Sequence, residues 1–196
     1  MDIAQEAWLS ETVVADFGPG VGYDPVAQSF FRALYAERGP ITGEPLWVAA
    51  AQHQLRLAAD AVLAVLADVS ATVPGRQVHI EPTLCGSVVR IACDGRFSSH
   101  DGGRMTAFGP EQALLEVATT VQDLITEAWW IVWPQCPQHG RGLLAEHVGG
   151  SGHDPEWVCR SGRHVIAAVG SLSSVAISPV GLEELRPAPG APAATA

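Results

Sequence analysis

Residues 77–93 read QVHIEPTLCGSVVRIAC, and residues 110–133 read PEQALLEVATTVQDLITEAWWIVW. The first stretch alternates. Val78 and Ile80 share one side of an extended chain, and Val89, Ile91 and Cys93 share one side against Val88, Arg90 and Ala92. A period of two is that of a half-buried strand. The second stretch repeats its apolar residues every three or four positions, at Leu114, Val117, Val121, Leu124, Ala128 and Val132. That is the stripe of an amphipathic helix, which Pro110 opens and Pro134 ends. Asp94-Gly95 and Asp101-Gly102-Gly103 are turn signals. A short strand over 105–108 would then complete a three-stranded antiparallel meander, covered on one face by the long helix. The fold class expected is α+β.

Working towards the N-terminus, Asp24-Pro25 reads as an N-cap followed by Pro at the first helical position. Val26, Phe30 and Leu34 share one face of that helix, Phe31 and Tyr35 flank it, and Gly39-Pro40 stops it. A second helix over 45–69 carries Trp47, Ala51, Leu55, Ala58, Val62, Val65 and Val69 at spacings of three and four. The short connection favours an antiparallel N-terminal helical pair. Residues 7–17 suit either a strand or a helix. The Gly-rich run that follows, 18–22, lacks the preceding strand and the Lys-Ser/Thr of a phosphate loop.

Towards the C-terminus, 135–154 read as loop. Residues 157–159 and 164–169 read as two short strands around a Ser161-Gly162 turn. The expected organisation is an N-terminal helical region over 1–75, sheet plus long helix over 76–134, a small lobe over 135–185, and a disordered tail over 186–196.

The chain of 196 residues has 11 basic side chains, all Arg, and 21 acidic ones, for a net charge of −10. A hydrophobic share of 47% is that of a folded chain rather than a disordered one. The acidity argues against general binding to nucleic acid or anionic membrane. It is uneven: residues 1–75 carry −6, while 135–185 carry only −2 together with four of the seven His. The N-terminus lacks the basic and apolar regions of a secretory signal. The apolar stretch 46–73 is interrupted by His53, Arg56, Asp60 and Asp68, so it is not read as a membrane span. The expected location is the cytoplasm, where the four Cys are thiols or metal ligands rather than disulfides.

One constellation carries chemistry. Cys136 and His139 are spaced C-x2-H, Cys159 and His164 are spaced C-x4-H, and nineteen residues separate the pairs. Zinc takes four such ligands in a tetrahedron. Two close pairs, each on a turn, would supply them and clasp a zinc-ribbon-like lobe that has little core of its own. His147 and His153 are alternatives for the fourth ligand. The competing reading makes Cys136 and Cys159 ordinary buried thiols.

The run W-P-x-C-P-x-H followed by W-x-C resembles a group of uncharacterised small proteins of high-GC bacteria. The matching residues are Trp133, Pro134, Cys136, Pro137, His139, Trp157 and Cys159, and the resemblance covers roughly 87–170. Those proteins often carry a further His and a Pro where this chain has Arg141 and Arg160. The resemblance implies no activity.

Other residues have simpler readings. Cys85 and Cys93 flank the second strand, with Cys93 in the core. Ser98-Ser99-His100-Asp101 reads as a turn rather than a nucleophile relay, because neighbours in sequence do not form that geometry. Trp129, Trp130 and Trp133 are expected to pack against the rest of the molecule, or else to form an exposed aromatic patch that binds a partner. Glu116, Asp123 and Glu127 are assigned to the solvated helix face. Two functions are expected. The first is a cytoplasmic interaction or adaptor protein, with a protein partner or self-association and a structural zinc. The second is a metal-dependent hydrolase that uses the His-rich lobe, with Glu146, Asp154 or Glu156 as the base.

Overall fold

A computed structural model describes residues 3–99, 103–150 and 152–172. The tail expected over 186–196 lies outside the described residues. The fold is α+β, with helices first, then two three-stranded antiparallel sheets on either side of a long helix.

The ambiguous N-terminal segment is helical. Helix α1 (Ile3–Trp8) runs through a π-helical turn (Leu9–Val13) into α2 (Val14–Phe17), and a short α3 (Pro19–Tyr23) follows. The two expected helices then appear as α4 (Pro25–Arg38) and α5 (Glu44–Thr72). Asp24 caps α4 by accepting the Val26 N–H at 2.8 Å. The expected faces are buried at Leu34 on α4 and at Ala51, Ala58, Val62, Val65 and Val69 on α5, and depart from expectation near the start of each helix. Ala27, Phe31 and Leu34 are buried on α4, while Val26 is exposed. Leu46 and Ala50 are buried on α5, while Trp47 is exposed. Phe31 and Phe108, with Phe17 and Phe30, form a ring cluster that joins these helices to the segment that ends at Phe108.

The first sheet has the order β1 (Ile80–Cys85), β2 (Val88–Cys93), β3 (Arg96–Phe97). The third strand is therefore not the expected 105–108. Asp94 and Gly95 both have positive φ, which closes a two-residue hairpin and pairs Arg96 directly with Cys93. The chain returns to the same edge of β2 only at Arg104, through a single bridge to Arg90 and a bond from Met105 N–H to the Val89 carbonyl. Beyond that point the Glu116 carboxylate accepts the N–H groups of Thr106 and Ala107 at 2.8 and 3.2 Å. Those donors are no longer free for a ladder, so no strand forms there.

Helix α6 (Pro110–Trp129) stops short of the expected 133. Trp130 takes a left-handed backbone conformation at φ +57, and its N–H closes the last turn on Thr126. Residues 131–133 are thereby released from the helix. The second sheet has the order β4 (Leu144–Glu146), β5 (Glu156–Cys159), β6 (His164–Ala168). The two strands expected around Ser161-Gly162 are present, and β4 is an addition within the expected loop.

Two buried clusters result. The smaller gathers Trp8, Val13, Phe31, Leu34, Leu46 and Phe108. The larger joins the C-terminal half of α5, the first sheet and α6 to Trp133, Cys136, Leu143, Trp157 and Cys159. No helix among the described residues is long and apolar enough to cross a membrane.

Candidate metal centre

Two turns build the site. In the first, Gln135 bridges Gly142, Cys136 N–H donates to the Arg141 carbonyl at 2.7 Å, and Gly140 N–H donates to the Cys136 carbonyl at 2.8 Å. Gly140, at φ +60, lets the chain reverse there. Cys136 and His139 thus face the same side. In the second, Cys159 ends β5 and His164 begins β6, directly opposite each other in the ladder.

The turns bring four donor atoms together. Cys136 Sγ lies 3.4 Å from His139 Nδ1 and 3.5 Å from His164 Nε2, and Cys159 Sγ lies 3.5 Å from His139 Nδ1. One donor atom from each of the four residues falls within 4.8 Å of every other, so the group could hold a metal ion. Both Cys are fully buried, His164 is half-buried and His139 is exposed. Of the expected alternatives, His147 instead pairs its Nδ1 with the His153 carbonyl at 2.9 Å.

Gly162 completes the second turn. A Cβ there would sit 2.5 Å from His164 Cε1 and would also overlap the His139 ring. Its N–H donates to Cys159 Sγ at 3.4 Å, a contact of the kind that steadies a thiolate ligand.

The support beneath the site was not foreseen in the sequence. The tryptophan before each cysteine is held by one turn of α5. Trp157 Nε1–H donates to Asp68 Oδ2 at 2.7 Å. Trp133 Nε1–H donates to Thr72 Oγ1 at 2.7 Å, and that hydroxyl donates to the Asp68 carbonyl at 2.6 Å. The two indoles meet edge to face at 5.5 Å between centroids. Asp68 also accepts Gly170 N–H at 2.6 Å and Leu172 N–H at 2.7 Å. It is wholly buried, and that burial raises its pKa above the ordinary value of 3.8, against the opposing pull of its three N–H donors. From α6, the Gln122 amide donates to the Trp133 and Leu143 carbonyls at 3.1 and 2.8 Å. The signal available in the sequence was a single acid, Asp68, on the apolar side of a helix.

The remaining candidates are structural. Cys93 is buried, and its thiol is pushed up to about 11 by that burial and by Asp94. Cys85 is exposed. Glu127 accepts Ser99 N–H at 3.2 Å and its hydroxyl at 2.5 Å, which secures the loop after β3. Glu116 does the same for 106–107, so these acids staple loops from the surface of α6, where Glu127 is exposed and Glu116 half-buried. His100 and Asp101 lie outside the described residues. Trp133 is buried, Trp129 carries the Arg76 guanidinium 4.7 Å above its ring, and Trp130 is 90% exposed.

Comparison with protein families, curated proteins and solved structures gave no match.

Proposed function

We propose that Cys136, His139, Cys159 and His164 bind one zinc ion as a closed structural clasp, and that the protein is a cytoplasmic, non-enzymatic interaction or adaptor protein. The observation that carries the metal reading is the spacing of the donors. Zinc bonded to sulfur at 2.3 Å and nitrogen at 2.0–2.1 Å in a tetrahedron puts S and N about 3.6 Å apart. Three of the four S···N distances here are 3.4, 3.5 and 3.5 Å, and the fourth lies within 4.8 Å. Two thiolates, two imidazoles and no carboxylate make a donor set suited to zinc. With both Cys ligating as thiolates, Zn²⁺ would bring their combined charge to zero in this buried setting.

Four protein ligands leave no position for water, which favours a structural over a catalytic site. Of the three candidate bases for the hydrolase reading, Glu146 is paired with Arg160 at 2.7 Å. The interaction reading draws on Trp130. Its indole stands in solvent where α6 ends, beside the exposed Val132, and an aromatic in that setting is a common anchor for a partner.

Elemental analysis of the purified chain tests the clasp. One zinc per chain is expected, lost in both Cys136→Ser and Cys159→Ser. A metal-free protein whose variants are equally stable overturns it. X-ray absorption showing three protein ligands and one oxygen would replace the structural reading with the hydrolase. For the interaction reading, wild type is expected to self-associate or hold a partner in sedimentation, and Trp130→Ala to weaken this. No change in that variant removes the patch from the account.

A further inference from the structure

A second site lies at the other end of α5. Gln54 and Asp68 are fourteen residues apart on that helix, or about 21 Å at 1.5 Å per residue. Around Gln54 a cleft of about 250 Å³ opens between the N-terminal helices, the start of β2 and the segment before α6. Its apolar wall includes Phe17, Val21, Val88 and Met105.

Gln54 is the informative residue. It is only 7% exposed, and its amide has no hydrogen-bond partner among the described residues. Yet no fully enclosed side-chain N or O atom among those residues lacks a partner. The Gln54 amide therefore opens onto the cleft. An amide that opens onto the cleft without a protein partner is available to a hydrogen-bonding ligand there.

The charges around the cleft are unequal in availability. Glu116 is occupied by Thr106, Ala107 and Gln112, and Asp24 caps Val26. Arg104 is exposed and has no ion-pair partner among the described residues. The wall that carries it is fixed in advance by Met105 N–H on Val89, by Glu116, and by His53 Nε2 at 3.0 Å from the Phe108 carbonyl. A pre-formed cleft that sets convergent polar groups against an apolar wall is a usual form of a small-molecule site.

We propose that this cleft binds a small organic monocarboxylate with a flat apolar body and a hydroxyl or carbonyl at its far end. The carboxylate pairs with Arg104, the body lies on the apolar wall, and the polar end meets the Gln54 amide. One free guanidinium beside two acids matches a single negative charge better than a phosphate dianion, which Asp24 and Glu116 would repel. This site does not depend on the metal reading.

Titration of the full-length, metal-replete chain with 4-hydroxybenzoate tests it, followed by NMR at the Met105 methyl. The controls are 4-hydroxybenzamide, benzoate and phenyl phosphate. The expected result is saturable binding of 4-hydroxybenzoate at millimolar concentration or below. Arg104→Gln, at an exposed position, should weaken it about tenfold and leave 4-hydroxybenzamide within about twofold, the effect expected of one charge-assisted contact. Benzoate should bind wild type more weakly than 4-hydroxybenzoate, which reads the Gln54 contact without altering Gln54. The proposal is overturned if no probe shifts Met105, if Arg104→Gln changes nothing, or if phenyl phosphate binds as tightly as 4-hydroxybenzoate.

Discussion

The two ends of α5 hold their neighbours by different means. At its N-terminal end, α1 to α4 are fixed by the bulk of apolar rings, with Phe17, Phe30, Phe31 and Phe108 within 6.0 Å of one another along the chain of contacts. At its C-terminal end the second sheet has strands of three, four and five residues. Beside the apolar contacts of Trp133, Leu143 and Trp157 with the larger core, it is held by point attachments: two indole N–H groups, one buried carboxylate and a cluster of four donor atoms. Apolar burial is spread over many contacts and fails gradually. Point attachments concentrate the same stability in a few atoms, so single substitutions there should be specific in their effect.

Metal removal should break the contrast most completely. Chelation is expected to abolish amide protection in β4–β6 while the helical circular dichroism largely persists, since a structural zinc contributes on the order of 10 kcal/mol to the element it closes. Uniform loss of both signals would show that the two ends fold as one unit. Phe31→Ala should act in the opposite sense. It is expected to lower global stability by about 3–5 kcal/mol in urea, with zinc content unchanged.

Asp68→Asn keeps the side-chain volume but turns one acceptor into a donor facing N–H groups. A loss of about 2–3 kcal/mol is expected, with the indole N–H resonances of Trp157 and Trp133 both displaced. An effect on Trp157 alone would mean that Thr72 holds Trp133 independently. The mildest change is Gly162→Ala, where a methyl crowds two histidine rings. Competition against a chelator should show zinc affinity reduced about tenfold, equivalent to roughly 1.4 kcal/mol, with the urea midpoint of the zinc-saturated protein little changed.

Local pattern made much of this legible. The period of two over β2, the period of 3.6 over α6, the Asp24-Pro25 start of α4 and the turn between β5 and β6 each depend on residues a few positions apart. The pairs Cys136/His139 and Cys159/His164 were readable for the same reason. The failures were also local. A third strand at 105–108 follows from Asp94-Gly95 as a turn signal alone, whereas a two-residue turn pairs its own flanks, Cys93 with Arg96. The end of α6 was set by Pro134, whereas Trp130 leaves the helix earlier.

The sequence by itself determined α4, α5, α6, β2, β5 and β6 and which four side chains were chemically fit to be ligands, because backbone propensity and side-chain period act over short distances. Only the tertiary structure decided that the two ligand pairs meet, that both tryptophans rest on one turn of α5, and that Gln54 is left facing a cleft. Asp68 lies 89 residues from Trp157, and no periodicity encodes a hydrogen bond at that separation. It exists because burial makes an unpaired carboxylate costly, and the folded chain is what brings its donors within reach.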